Sequence, residues 1–179
     1  MNRFIPAGDL LSSVEALSDQ YAHLPPEPCV RSNSQYYSSG EYYRDKCSQD
    51  IAEAELSILE NITLKNKEKN SIVKALAKAY PKSSIIQSGN FYYPANAFMS
   101  WHTNSNTPGR RIYLSYSSES NKNCFKYIKN NKIIKDFDSE GWTGREFIVG
   151  DTPETFFWHA VDAVLPRISM GFRVFDNLA

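Results

Sequence analysis

From residue 84 onward the chain is written in short β-branched and aromatic runs separated by clusters of Gly, Pro, Asn and Ser, and no other feature restricts its fold as much. Candidate strands cover 84–87, 90–93, 97–102, 111–116, 124–129, 132–137, 145–149, 155–161 and 167–175. No helical pattern intervenes between them. Roughly eight strands at such spacing specify an antiparallel barrel or a double-sheet jelly roll. The best hairpin signal is Lys129-Asn130-Asn131-Lys132.

The first 81 residues follow a different period. Leu10, Leu11, Val14, Leu17 and Tyr21 recur at helical spacing from Asp9, and the pattern stops at Leu24-Pro25-Pro26. From Pro28 to Lys46 no period is visible, so an irregular covering segment or a loose strand pair around Gly40 is expected. Asp50 with Glu53 reads as an N-terminal cap, followed by a helix with Ala52, Leu56, Leu59 and Thr63 on one face. A further helix carries Ile72, Val73, Leu76, Ala77 and Tyr80 after the charged turn 65–70, and Pro81 ends it. The expected organisation is one domain over 1–179, with 1–81 as helical support and 82–176 as a jelly-roll core.

Composition narrows the function. A length of 179 residues with 41% apolar and 13% aromatic content is enough to build a real core. Twenty basic and twenty acidic residues cancel, so no global field recruits nucleic acid or an anionic membrane. No apolar run approaches the length of a membrane span. The three cysteines, Cys29, Cys47 and Cys124, share no metal-ligand spacing and argue for a reducing compartment, so a cytoplasmic protein is expected. The lysine-rich, aromatic stretch 122–135 is followed at once by Asp136, Asp138 and Glu140, which favours a solvated hairpin over a nucleic-acid surface.

Chemistry is concentrated in two histidines. His102 lies in Trp101-His102-Thr103-Asn104 and His159 in Phe157-Trp158-His159-Ala160, each in a strand-like run, with Arg167-Ile168-Ser169 after the second. A lone histidine beside a tryptophan is more often a satisfied core or surface residue. The pair with a trailing arginine is what a non-haem iron site needs, because imidazole nitrogens bind the metal and a guanidinium fork binds a carboxylate co-substrate. The turn 162–166 is expected to put His159 and Arg167 on neighbouring strands. Alternation then places Arg167, Ser169, Gly171 and Arg173 on one face of the last strand and Ile168, Met170 and Phe172 on the other. By the same rule Trp101 and Trp158 face away from the metal, into the core.

Over 85–175 these motifs resemble the iron(II) and 2-oxoglutarate-dependent dioxygenases of the prolyl-hydroxylase-like group, in which a His-x-Asp pair, a later His and an Arg-x-Ser follow in this order. The resemblance implies a double-stranded β-helix that binds Fe(II) through His102 and His159. It also implies 2-oxoglutarate held by Arg167 with Ser169, and hydroxylation of an unidentified prime substrate with dioxygen. The resembling strand in prolyl hydroxylases carries an inward tyrosine on the 2-oxoglutarate carboxylate. Tyr116 is the candidate here, with Tyr113 the fallback and a core aromatic the plain alternative. The departure is Asn104 at the aspartate position, which raises the protein-plus-metal charge from +1 to +2. Either the amide oxygen of Asn104 completes the metal's ligands, or water, Asn106 or a halide fills the position. The remaining outcome is a non-catalytic jelly-roll binding module descended from such oxygenases.

Overall fold

A computed structural model describes residues 1–21, 34–53, 60–61 and 66–176. Its core is two antiparallel sheets. The larger runs in the order β1 (Asn2–Phe4), β8 (Gly141–Val149), β5 (Gly109–Ser117), β10 (Arg167–Asp176), β3 (Ser83–Tyr93) and β2 (Glu60–Asn61). The smaller runs β4 (Ala97–His102), β9 (His159–Ala163), β6 (Cys124–Lys129) and β7 (Lys132–Phe137). From β3 onward the chain crosses between the sheets at every step except the β6–β7 hairpin, so it winds as a double-stranded β-helix, the expected jelly roll. At the β6–β7 hairpin, Asn130 and Asn131 have φ of 50° and 58°. Both central residues of such a primed turn need the left-handed region, and asparagine tolerates it.

Strand alternation decides which sheet face meets which layer. On β10, Ile168, Met170, Phe172 and Val174 join Ile112 and Leu114 of β5 and Trp142 of β8 on the outer face of the large sheet. Two helices cover that face. Helix α1 (Gly8–Tyr21) buries Val14 and Leu17, and α4 (Asn66–Ala79) buries Ile72 and Leu76. Each such side chain contributes about 1.5–3 kcal/mol relative to exposure. On the small sheet, Trp101, Trp158 and Ala160 face outward against Tyr42. Trp101 Nε1 donates to Ser39 O at 2.8 Å, and the Tyr43 ring lies 5.3 Å from that of Trp101. Between the sheets, Tyr93, Met99, Phe125, Phe147 and Val161 form a third apolar cluster.

The N-terminal half departs from the sequence reading in three places. The stretch around Gly40 is helical, not irregular or paired: α2 (Ser34–Tyr37) precedes α3 (Gly40–Lys46), whose first turn is capped by Ser39 Oγ accepting from Tyr42 N at 3.1 Å. Asp50 starts no helix, because its carboxylate is engaged by a loop over fifty residues away, and Glu60–Asn61 pairs as a strand with Tyr92 and Phe91. Finally, β1 and β2 extend the large sheet, so this half supplies strands as well as helical support. The expected helix stop at Leu24-Pro25-Pro26 and the positions Leu56, Leu59 and Thr63 lie outside the described residues. Lys126, within the lysine-rich stretch, is buried, with Nζ 2.9 Å from Ser38 O and 3.1 Å from Asp162. No helix among the described residues is long and apolar enough to cross a membrane.

Candidate metal centre and its cavity

The two histidines meet through an irregularity in strand pairing. Met99 pairs with Val161 and His102 with His159, so β4 advances three residues while β9 advances two. Ala97 and Met99 point between the sheets, and plain alternation would turn Trp101 inward and His102 outward. The extra residue reverses this. Trp101 therefore packs under α3 while His102 enters the interior, its ring centroid 4.1 Å from that of His159.

Backbone carbonyls fix both rings. His102 Nδ1 is 2.8 Å from Ser100 O, and His159 Nδ1 is 2.8 Å from Phe157 O. A carbonyl only accepts, so each Nδ1 carries the proton and each Nε2 keeps its lone pair. Burial pushes the His102 pKa down to about 4. Burial, the neighbouring His102 and a smaller push from Arg111 drive His159 well below its ordinary value. Both imidazoles are neutral near pH 7.

Asn104 completes the group from a left-handed turn, with φ of 57°. The loop is tied down by Thr103 N to Ile51 O at 2.8 Å and Asn104 N to Ala52 O at 3.0 Å. Thr103 Oγ1 and Ser105 Oγ donate to Asp50 Oδ1 at 2.9 and 2.7 Å. The Asn104 amide nitrogen sits 3.1 Å from His159 Nε2 and 3.2 Å from the Tyr113 hydroxyl. Asn106, the alternative third ligand, instead donates to Glu53 Oε1 at 3.3 Å. His102 and Asn104 open onto a cavity of about 430 Å³ whose walls include Met99, Arg111, Tyr113 and Ser169.

Other expected site residues fall differently. Tyr116 points to the helix-covered face and packs on Trp142, with centroids 5.6 Å apart. The alternation of β5 sends Tyr113 inward instead, where Gly171 faces it across the pair. A Cβ at Gly171 would lie 3.1 Å from the Tyr113 ring, so glycine makes room for it. Arg167 and His159 are not on neighbouring strands but on opposite sheets, both facing the interior. Ser169 reaches the cavity and Arg167 does not. Its Nε donates to Asp138 Oδ2 at 2.7 Å, while Asp138 Oδ1 takes Arg145 Nη1 at 2.7 Å. Its guanidinium lies 5.4 Å from the Tyr93 ring centroid. Burial raises the Asp138 pKa, but the Arg167 and Arg145 cations outweigh it and hold the carboxyl below its usual value. The arginine that does line the cavity, Arg111, was not singled out in the sequence because it stands beside Arg110 in an ordinary strand. Burial lowers its pKa, Tyr113 opposes that shift and Arg173 adds to it.

Known structures share this architecture. A 2OG-Fe(II) oxygenase family oxidoreductase from Burkholderia pseudomallei superposes with a TM-score of 0.50 at 10% identity, over 97% of this chain and 85% of that one. A prolyl-4-hydroxylase from Pseudomonas putida gives 0.52 at 10% identity, over 97% and 91%. No protein-family model matches the sequence, and no curated protein matches it. The chain thus has the jelly-roll fold of the 2OG-Fe(II) oxygenases and prolyl hydroxylases, carried by a sequence far from both.

Proposed function

We propose that this chain is an Fe(II)- and 2-oxoglutarate-dependent oxygenase that hydroxylates a C–H bond of a substrate entering the cavity. The observation that carries the reading is the His102–His159 pair: cross-strand partners, both neutral, each with Nδ1 bound to a carbonyl and Nε2 left with its lone pair, that of His159 accepting from the Asn104 amide. Two such imidazoles beside an amide make a donor set that suits a divalent transition ion, and carbonyl-anchored Nδ1 atoms are the usual support for histidine ligands. His102 and His159 would hold the ion, with Asn104 as the third side chain. When bound, Fe(II) supplies the dioxygen chemistry that side chains lack.

The chain's own residues prepare that site. The Asn104 amide N–H donates to His159 Nε2, which holds the amide against the imidazole pair, where its oxygen would serve as the third ligand. The Tyr113 hydroxyl holds the amide from the other side. Met99 and Val161 give the cavity an apolar wall that excludes water from the metal side.

A second reading, a binding module without turnover, is favoured by the neutral Asn104 and by Asp138, whose carboxylate pairs with Arg167 Nε. Succinate formation separates the two. Oxygenase activity gives succinate that depends on Fe(II), 2-oxoglutarate and air and is lost in His102→Ala. A protein that binds metal and 2-oxoglutarate yet forms no succinate across a substrate screen is the binding module.

A further inference from the structure

Among the described residues Arg111 is the arginine that lines the cavity, and none of them gives it an ion pair. It stands on β5 two residues from Tyr113 and on the same face, so its side chain enters the chamber that holds His102, Asn104 and Ser169. Only 3% of it is exposed. Its Nη2 donates to the carbonyl of Thr107 and, at 2.7 Å, to Thr107 Oγ1. Its Nη1 is buried with no partner among the described residues.

The neighbour across the strand pair is another cation. Arg111 faces Arg173 of β10, whose Nε is also buried and unpartnered. Among the described residues no carboxylate comes within ion-pair distance of either. Like charges directly opposite in an antiparallel pair repel, and a buried guanidinium without an anion is strongly unfavourable. Arg111 thus presents the cavity-side donor, while Arg173, outside the lining and 4.8 Å from the Phe175 ring centroid, adds positive charge behind it; Glu53, the carboxylate among the described lining residues, accepts from Asn106. Arg167 differs in having a carboxylate, since Asp138 accepts from its Nε; its Nη1, like that of Arg111, is buried with no partner among the described residues, but Arg167 does not line the cavity. Arg167 also stands four residues along β10 from Gly171, the partner of Tyr113, about 14 Å at strand spacing. Arg111 is one same-face step from Tyr113, which touches Asn104.

We propose that Arg111, with Arg173 beside it, is the anion anchor of this cavity and holds the distal carboxylate of 2-oxoglutarate, the role the sequence motif assigns to Arg167. The inference rests on the oxygenase reading above. Thr107 holds Nη2, which fixes the guanidinium so that Nη1 is the donor left for a carboxylate oxygen.

Calorimetry on the Mn(II)-loaded protein tests it, with 2-oxoglutarate and with 2-oxopentanoate, which has the same chain but no distal carboxylate. The wild type is expected to prefer the diacid. In Arg111→Gln the affinity for 2-oxoglutarate should fall by about 30-fold or more, as for loss of one member of a buried charge pair. The affinity for 2-oxopentanoate should hold, and the preference should vanish. Arg111→Lys should recover part of it. Because the substitution removes an unpaired buried charge, Arg111→Gln should melt no lower than the wild type without ligand, and 2-oxoglutarate should raise the Tm of the wild type alone. Equal diacid affinity in wild type and Arg111→Gln overturns the inference and leaves the oxygenase reading standing. A wild type that binds Mn(II) but neither acid overturns both.

Discussion

Replacing Asn104 by aspartate changes one atom type and adds one charge beside His159. The amide nitrogen lies 3.1 Å from His159 Nε2, so a cation on that nitrogen is within about 4 Å of the new carboxylate. At an effective dielectric of about 20, a single charge and a dication at that separation attract by roughly 8 kcal/mol. Desolvating the carboxylate takes back several kcal/mol, which leaves about 3 kcal/mol, or roughly a hundredfold in metal affinity. Without metal the variant fares worse. It loses the N–H donated to Tyr113 and His159 and puts an acceptor-only group against a lone pair, so the apo Tm should fall while the Mn(II)-dependent rise in Tm grows. Titration calorimetry with Mn(II) near neutral pH gives the affinity, and thermal melts with and without the ion give the linkage. Unchanged Mn(II) affinity in Asn104→Asp would refute the placement of residue 104 at the metal and pass the third position to water or to Asn106.

Two more outcomes follow from the interior. Asp138→Asn leaves Arg167 and Arg145 without their shared carboxylate, and chemical denaturation should register a loss of about 3–5 kcal/mol; a loss under 1 kcal/mol on the order of a surface pair would contradict a buried triad. The folded-state pKa of Asp138 is depressed, so its contribution is complete above the unfolded carboxyl value and disappears as pH falls through the folded value; Asp138→Asn should flatten the acid limb of the stability profile, and an identical acid limb would count against the pairing. Tyr113→Phe removes the hydroxyl that holds the Asn104 amide and should weaken Mn(II) by about 1 kcal/mol, whereas Tyr116→Phe, on the helix side, should leave Mn(II) affinity unchanged. Equal effects at the two tyrosines would mean that β5 is turned the other way.

Most strands after residue 82 were legible because the period of two and the asparagine turn are local properties that agree with the tertiary demand at Asn130-Asn131, although 84–87 and 90–93 form the single strand β3 and β9 begins only at His159, not at 155. Both longer helices, α1 and α4, were legible for the same reason. Residues 50–53 and 60–61 were not. Asp50 and Glu53 look like a cap, yet Asp50 is more strongly engaged by the Thr103 and Ser105 hydroxyls, contacts that no window of sequence contains. The histidine pair stood out by residue type, but the bulge that turns His102 inward is a property of the pairing with β9. Alternation grouped Tyr116 with Ile112 and Leu114 correctly but could not say which face was the interior. The same limit applies to the arginines. Arg167 was conspicuous by its spacing from His159, while its neutralisation by Asp138 depends on a loop 29 residues earlier in the chain. Arg111 gained its standing only from what surrounds it.

The central claim is that His102 and His159 hold one metal ion between them. Equilibrium dialysis against Mn(II), with circular dichroism to verify folding, tests it on the wild type and on His102→Ala and His159→Ala. The account expects one ion per wild-type chain and none in either folded variant, since a site built from two neutral imidazoles and an amide has no ligand to spare. A full complement of Mn(II) in either alanine variant contradicts it.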